Sequence, residues 1–179
     1  MRRRLQEAAL ALYREHGYEA VTAAEIAAAA GVTERTFFRH FPDKREVLFG
    51  GQDDVSGAVA RAVAEVPADV TAPMAVLRQA FRAMRPVLEI NRPFALPRAE
   101  LIASRPALRE RELAKIASIQ DAAAEALAAR GIPRRQAVLA AQVGVATFGL
   151  ALQEWMPDPA ADFDTLLAAA FDDLRDLVL

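Results

Sequence analysis

The chain has 179 residues, room for one domain or two small helical ones, and its 54% hydrophobic content, rich in alanine, excludes a disordered tail. It has no cysteine, which excludes disulfides, thiolate zinc sites and a cysteine nucleophile. Net charge is −2, so the chain is not basic as a whole; within the first fifty residues, however, Lys and Arg gather at residues 2–4 and 35–45.

No segment alternates with period two for long enough to suggest a sheet, and alanine favours helix throughout. The pattern predicts an all-α chain of nine helices. The first starts near Arg3, buries Leu5, Ala8/Ala9, Leu12 and Tyr13, and closes at Gly17. Thr22 and Glu25 form a capping box for the second, with Val21 and Ile26 placed as a hydrophobic staple. This helix stops at Gly31. Thr33 caps the third, where Val32 and Phe37 take the staple positions, and Asp43 with Glu46 makes another box for the fourth. Two helices joined by a short glycine turn are a helix-turn-helix.

In such a unit the second helix enters the major groove with its N-terminal residues at the bases. Here those are Thr33, Glu34, Arg35 and Thr36. Arg35 suits a bidentate contact to guanine and Thr36 offers a hydroxyl or a methyl. Arg39, His40 and Lys44 are expected to face phosphates, and Arg2, Arg3 and Arg4 to form an arm on the duplex. Thr22 caps first and meets phosphate second. Phe37 and Phe41 read as core.

The run Thr22…Glu25-Ile26-Ala27…Gly31-Val32…Thr36-Phe37-Phe38-Arg39-His40-Phe41-Pro42-Asp43-Lys44 resembles the DNA-binding domain of the tetracycline-repressor (TetR) family. One departure is Phe38, where the family usually has a tyrosine whose hydroxyl meets a phosphate. Phe38 is expected to pack or stack instead. The resemblance implies a DNA-binding domain at 1–46 and a helical ligand-binding and dimerisation domain at 47–179. It implies a double-stranded DNA operator as partner, and a repressor as the default, although the sequence does not decide between repression and activation.

The fourth helix is expected over Lys44–Val66, with Gly50-Gly51 as a bend or hinge. The fifth carries Met74, Leu77, Phe81, Met84 and Leu88 on one stripe. Pro86, Pro93, Pro97 and Pro106 then predict a kinked or broken helix and a short sixth rather than one rod. Pro106 opens the seventh, with Leu113, Ile116, Ile119, Ala123 and Leu127, which ends at Gly131. The eighth, from Pro133 to Trp155 or Met156, is apolar nearly all round, and the ninth starts near Phe163.

An eighth helix apolar on both sides predicts a homodimer in which the last two helices of each chain form a four-helix interface. Gly144, Phe148, Leu152, Leu167, Phe171 and Leu174 are its expected residues. The C-terminal part resembles the regulators of mycofactocin systems. That resemblance implies a small-molecule effector among the central helices, with Met74, Phe81, Met84, Leu88, Phe94, Gln142, Phe148 and Trp155 as candidate lining and a mostly apolar ligand.

An enzyme is the first rival. Ser56, Ser104 and Ser118 stand outside any nucleophile elbow, His16 and His40 are the only histidines, and no phosphate loop or metal-spaced cluster occurs. No catalytic residue, metal or cofactor is expected. A helical protein-binding bundle is the second rival, and it leaves the closely spaced caps and the nearby cations unexplained. No apolar run reaches the ~18 residues of a membrane span, and no signal peptide is evident, so a soluble cytoplasmic protein is expected.

Overall fold

The computed structural model describes residues 1–49 and 52–177. Among them are ten helices: α1 (Arg2–His16), α2 (Ala23–Ala29), α3 (Glu34–His40), α4 (Glu46–Phe49), α5 (Gln52–Glu65), α6 (Pro73–Ala83), α7 (Arg85–Ala103), α8 (Pro106–Ala129), α9 (Arg134–Trp155) and α10 (Phe163–Leu177). The helix expected over 44–66 appears as α4 and α5. The Gly50-Gly51 hinge expected between them lies outside the described residues.

The chain divides into two units, Met1–Gln52 with Pro97–Glu112, and Asp53–Leu96 with Leu113–Leu179. The first unit thus takes in a mid-chain segment that a boundary at residue 46 assigns elsewhere. Its core joins Leu5, Ala9 and Tyr13 of α1 to Ile26, Phe37, Phe41 and the buried Val47, Leu48 and Phe49. Ile102 and Leu108 are buried too. Arg98 fastens the mid-chain segment to α4. Its Nε donates to the Leu48 carbonyl at 2.7 Å, its Nη2 pairs with Glu112 at 3.1 Å, and its guanidinium lies 5.4 Å from the Phe49 ring centroid. Arg111 pairs with Glu46 at 2.5 Å. Asp43 Oδ1 accepts from the Arg45 and Glu46 N–H groups, at 2.7 and 2.9 Å, and so caps α4.

The second unit is built around α9. Phe81 and Phe148 stack at 4.4 Å with 17° between planes, and Phe163 meets Phe148 and Trp155 edge-on. Asp162 caps α10, accepting from the Thr165 N–H at 2.9 Å and its hydroxyl at 2.6 Å. Arg130 closes the end of α5, donating to the carbonyls of Val63, Val66, Pro67 and Val70. Gly131 has φ 88°, which a side chain resists, and so ends α8 where the sequence predicts.

Two expectations need correction. The proline-rich segment does not break: α7 runs through Pro86, Pro93 and Pro97. Pro86 falls in the first turn, where no N–H is needed. Pro93 and Pro97 stand one turn apart on the same side of the helix, and Glu89 and Pro93, whose carbonyls lose their helical donors there, are exposed residues. Next, Leu113 and Ile116 of the predicted α8 stripe are exposed, and only Ala123 and Leu127 reach full burial. Within one chain α9 keeps an apolar stripe uncovered, the situation from which the dimer is expected. Leu139, Val143 and Leu150 are 53%, 40% and 47% exposed. By length and composition α9 is also apolar enough to cross a membrane, at mean hydropathy 1.3, a property shared by core helices of folded bundles.

Candidate DNA interface

Local chemistry fixes the reading helix. Thr22 Oγ1 accepts the Glu25 N–H at 3.2 Å and the Glu25 carboxylate accepts the Thr22 N–H at 2.7 Å, so the predicted capping box is complete. Gly31 takes φ 68°, and Val32 N–H returns to the Ala27 carbonyl at 2.9 Å, which closes α2 and reverses the chain. Thr33 then caps α3, accepting the Thr36 N–H at 3.3 Å, and the two threonine hydroxyls pair at 3.1 Å. Phe37 is fully buried and anchors α3 on the core. Its neighbour Phe38 meets it edge-on at 5.4 Å and is 50% exposed. Anchoring Phe37 leaves Glu34, Arg35, Phe38 and Arg39 on the exposed side.

The expected cations divide into two groups. Arg35 and Arg39 are exposed and have no ion pair or side-chain hydrogen bond among the described residues. Lys44 does the reverse: its Nζ donates to the carbonyls of Tyr18, Glu19 and Val21 at 2.9, 3.1 and 3.0 Å, and lies 4.6 Å from the Tyr18 ring centroid. All three ammonium protons are thereby used. Lys44 is a clamp on the α1–α2 connection, where phosphate contact was expected. Tyr13 works beside it, donating its hydroxyl to the Lys44 carbonyl at 2.7 Å.

The N-terminal arginines do not form an arm, because α1 begins at Arg2. Arg4 donates to the Ala30 carbonyl at 2.7 Å and so finishes α2. Arg3 pairs with Glu7 one turn on, and Arg2 donates to the His40 carbonyl at 3.3 Å. Burial and the cations of Arg39, Arg2 and the N-terminus hold the His40 imidazole below its ordinary value. Its Nε2 is buried without a partner among the described residues.

In the second unit the expected pocket residues differ in burial. Phe81, Met84, Phe148 and Trp155 are packed into the core, Leu88 borders it, Phe94 is half-buried, and Gln142 is exposed. Of the expected interface residues, Gly144, Phe148, Leu167 and Phe171 also point inward, while Leu152 and Leu174 remain partly exposed. Two open grooves mark the surface. One, of about 1060 Å³, is lined by Arg78, Arg82, Arg85, Asp164 and Asp172, with Arg82 and Arg85 each 3.2 Å from Asp164 Oδ2. The other, of about 640 Å³, is more apolar and is lined by Met74, Leu139, Val143, Phe171 and Leu174. Met74 is the one expected pocket residue on either. Sequence pattern alone missed Leu139, Val143 and Leu150 as the outward stripe, since an all-apolar helix does not reveal which side its own core covers.

Residues 5–49 match the model of bacterial regulatory proteins of the tetR family, and residues 71–178 match that of the MftR C-terminal domain. The chain belongs to the TetR family. It is a TetR-family transcription regulator with a helix-turn-helix DNA-binding domain and an MftR-type C-terminus. Over 76 residues, 42% of its length, it is 40% identical to the HTH-type transcriptional regulator TcmR of Streptomyces glaucescens, and it spans only 33% of that relative. Among solved structures it resembles the TetR-family repressor FadR of Thermus thermophilus in complex with lauroyl-CoA, at 27% identity and TM-score 0.61, over 100% of this chain and 95% of that one. It also resembles the TetR-family regulator PfmR of Thermus thermophilus, at 26% identity and TM-score 0.53, over 95% of each chain.

Proposed function

We propose that this TetR-family regulator is a cytoplasmic homodimeric repressor that holds a palindromic operator and releases it when a small, mostly apolar effector binds. The observation that carries the reading is the outer face of α3. Glu34, Arg35, Phe38 and Arg39 stand exposed on a helix whose caps and core side chain are fully engaged. Thr33, Glu34, Arg35 and Thr36 sit where a recognition helix meets base edges, and Arg39 where it meets the backbone. Thr22 and the N-terminal arginines are at most auxiliary, since their polar atoms already serve the fold.

The stripe of Leu139, Val143 and Leu150 supports the dimer. At 100° per residue these three fall within about 40° of arc, a narrow apolar seam of the kind helix pairs bury. Two recognition helices related by a two-fold axis then reach successive major grooves, about 34–36 Å apart. The lauroyl-CoA held by the similar Thermus regulator supports an effector with a long apolar portion.

The test is selection of bound duplexes from a random pool at a stated salt concentration, because phosphate contacts make affinity salt-dependent. A palindrome with half-sites about one helical turn apart is the expected result. A folded dimer that enriches no duplex sinks the reading.

A further inference from the structure

The outer face of α3 carries a carboxylate in the midst of its cations. Glu34 is exposed and has no ion pair or side-chain hydrogen bond among the described residues, although Arg35 is its immediate neighbour. It is not the cap, because Thr33 fills that role through the Thr36 N–H. Nor does it brace the turn, which the Thr33–Thr36 hydroxyl pair already holds at 3.1 Å. An acidic side chain this near a phosphate backbone is repelled by DNA in general. In the first turn of α3 the carboxylate suits the helix dipole, but towards DNA it becomes favourable only where a base presents it a hydrogen-bond donor.

We propose that Glu34 is a specificity residue that reads cytosine, accepting a hydrogen bond from its exocyclic N4 amine, within the same half-site as a guanine read by Arg35. The inference rests on the DNA-binding reading above and adds the base that this face selects. Ionised carboxylate is acceptor-only. In the major groove cytosine presents the N4 amine, whereas guanine presents N7 and O6 acceptors and thymine the O4 acceptor and a methyl. Guanine and thymine at this position therefore face the carboxylate acceptor to acceptor. Adenine offers N6–H₂ but sets its N7 acceptor beside it. Glu34 thus selects cytosine and also acts against guanine and thymine, which leave a desolvated charge without a partner, while adenine gives it a donor next to a repelling acceptor. Arg35, adjacent on the helix and equally unpaired, supplies the fork that guanine O6 and N7 accept.

The test compares duplexes selected by the chain with those selected by Glu34→Gln, Glu34→Ala and Arg35→Ala, each confirmed as helical by circular dichroism and dimeric by sedimentation. Expected for the unaltered chain is one cytosine in each half-site, preferred about tenfold or more. Glu34→Gln should move that position to adenine, whose N6 and N7 suit the amide. Glu34→Ala should leave it without preference, and Arg35→Ala should keep the cytosine and relax a guanine elsewhere in the half-site. If Glu34→Gln keeps the same base preferences and binds all duplexes more tightly by one common factor, Glu34 is only a repulsive charge and the assignment is overturned. Failure of the unaltered chain to enrich any palindrome is a separate result. It removes the DNA reading itself and this assignment with it.

Discussion

Lys44 and Arg39 are both basic and five positions apart, yet their surroundings give them different roles. Lys44 holds three backbone carbonyls, and hydrogen bonds from a charged donor are worth about 1.5–3 kcal/mol each before mutual compensation. Lys44→Ala should therefore lower the urea midpoint by the equivalent of about 2 kcal/mol while leaving the salt slope of DNA binding unchanged for the fraction that stays folded. Arg39→Ala should leave the midpoint alone and reduce the salt slope by about one. Equal salt slopes for both variants would show that Arg39 does not touch phosphate. The tyrosines next to Lys44 add a pH signature. Burial first, then the charges of Tyr18 and Asp43, push the Tyr13 hydroxyl far up, and burial pushes Tyr18 up to about 12. A folded-state value above the unfolded one means stability that is complete below pH 10 and lost as pH rises past it. Denaturant midpoints at pH 9 and 11 should show that loss, and Tyr13→Phe should reduce it. His40 has the opposite sign: held below its ordinary value, it contributes stability above about pH 6.5 that falls away in acid.

At the level of elements, α9 sets close packing against open surface within a few residues. A Cβ on Gly144 would lie 2.6 Å from Leu77 Cδ1, and Leu77 is fully buried. One on Gly149 would meet nothing within 4 Å. Overpacking costs about 1–3 kcal/mol, which outweighs the gain of up to about 1 kcal/mol from replacing an interior helical glycine with alanine. Thermal unfolding should then show Gly144→Ala melting lower and Gly149→Ala melting higher than the unaltered chain. A higher melting temperature for both would mean that Leu77 yields freely. Gly144 illustrates what pattern reading misses. A glycine in an apolar helix signals close approach, but spacing does not say to what; here the neighbour is Leu77 of α6 in the same chain, where a second chain was expected. The prolines of α7 teach the converse. Their cost is local, and a helix can cross them where the freed carbonyls reach water.

For the whole molecule, the decisive question is which side of α9 faces outward. Leu139→Glu with Val143→Glu should convert the proposed dimer to monomers in sedimentation while preserving helicity, and should reduce affinity for a full palindrome far more than for one half-site. A dimer that persists in this variant would place the interface elsewhere. Gln142, also exposed on α9, offers a control: Gln142→Ala should leave the core unchanged.

The all-helical class, the helix-turn-helix and its caps, the burial of Phe37 and Phe41, and the closing glycines at 17, 31 and 131 were all legible in the order of residues. Each follows from interactions among residues a few positions apart, where hydrogen-bond geometry and φ leave little choice. Tertiary contacts alone assign Lys44 and Arg4 to carbonyls of the fold, bind the segment Pro97–Glu112 to α4 through Arg98 and Arg111, and select the side of α9 that is core. These depend on partners from about 20 to more than 60 residues away along the chain. A long cation looks the same in sequence whether it serves a phosphate or a carbonyl, and an apolar helix looks the same on every side until its neighbours are in place.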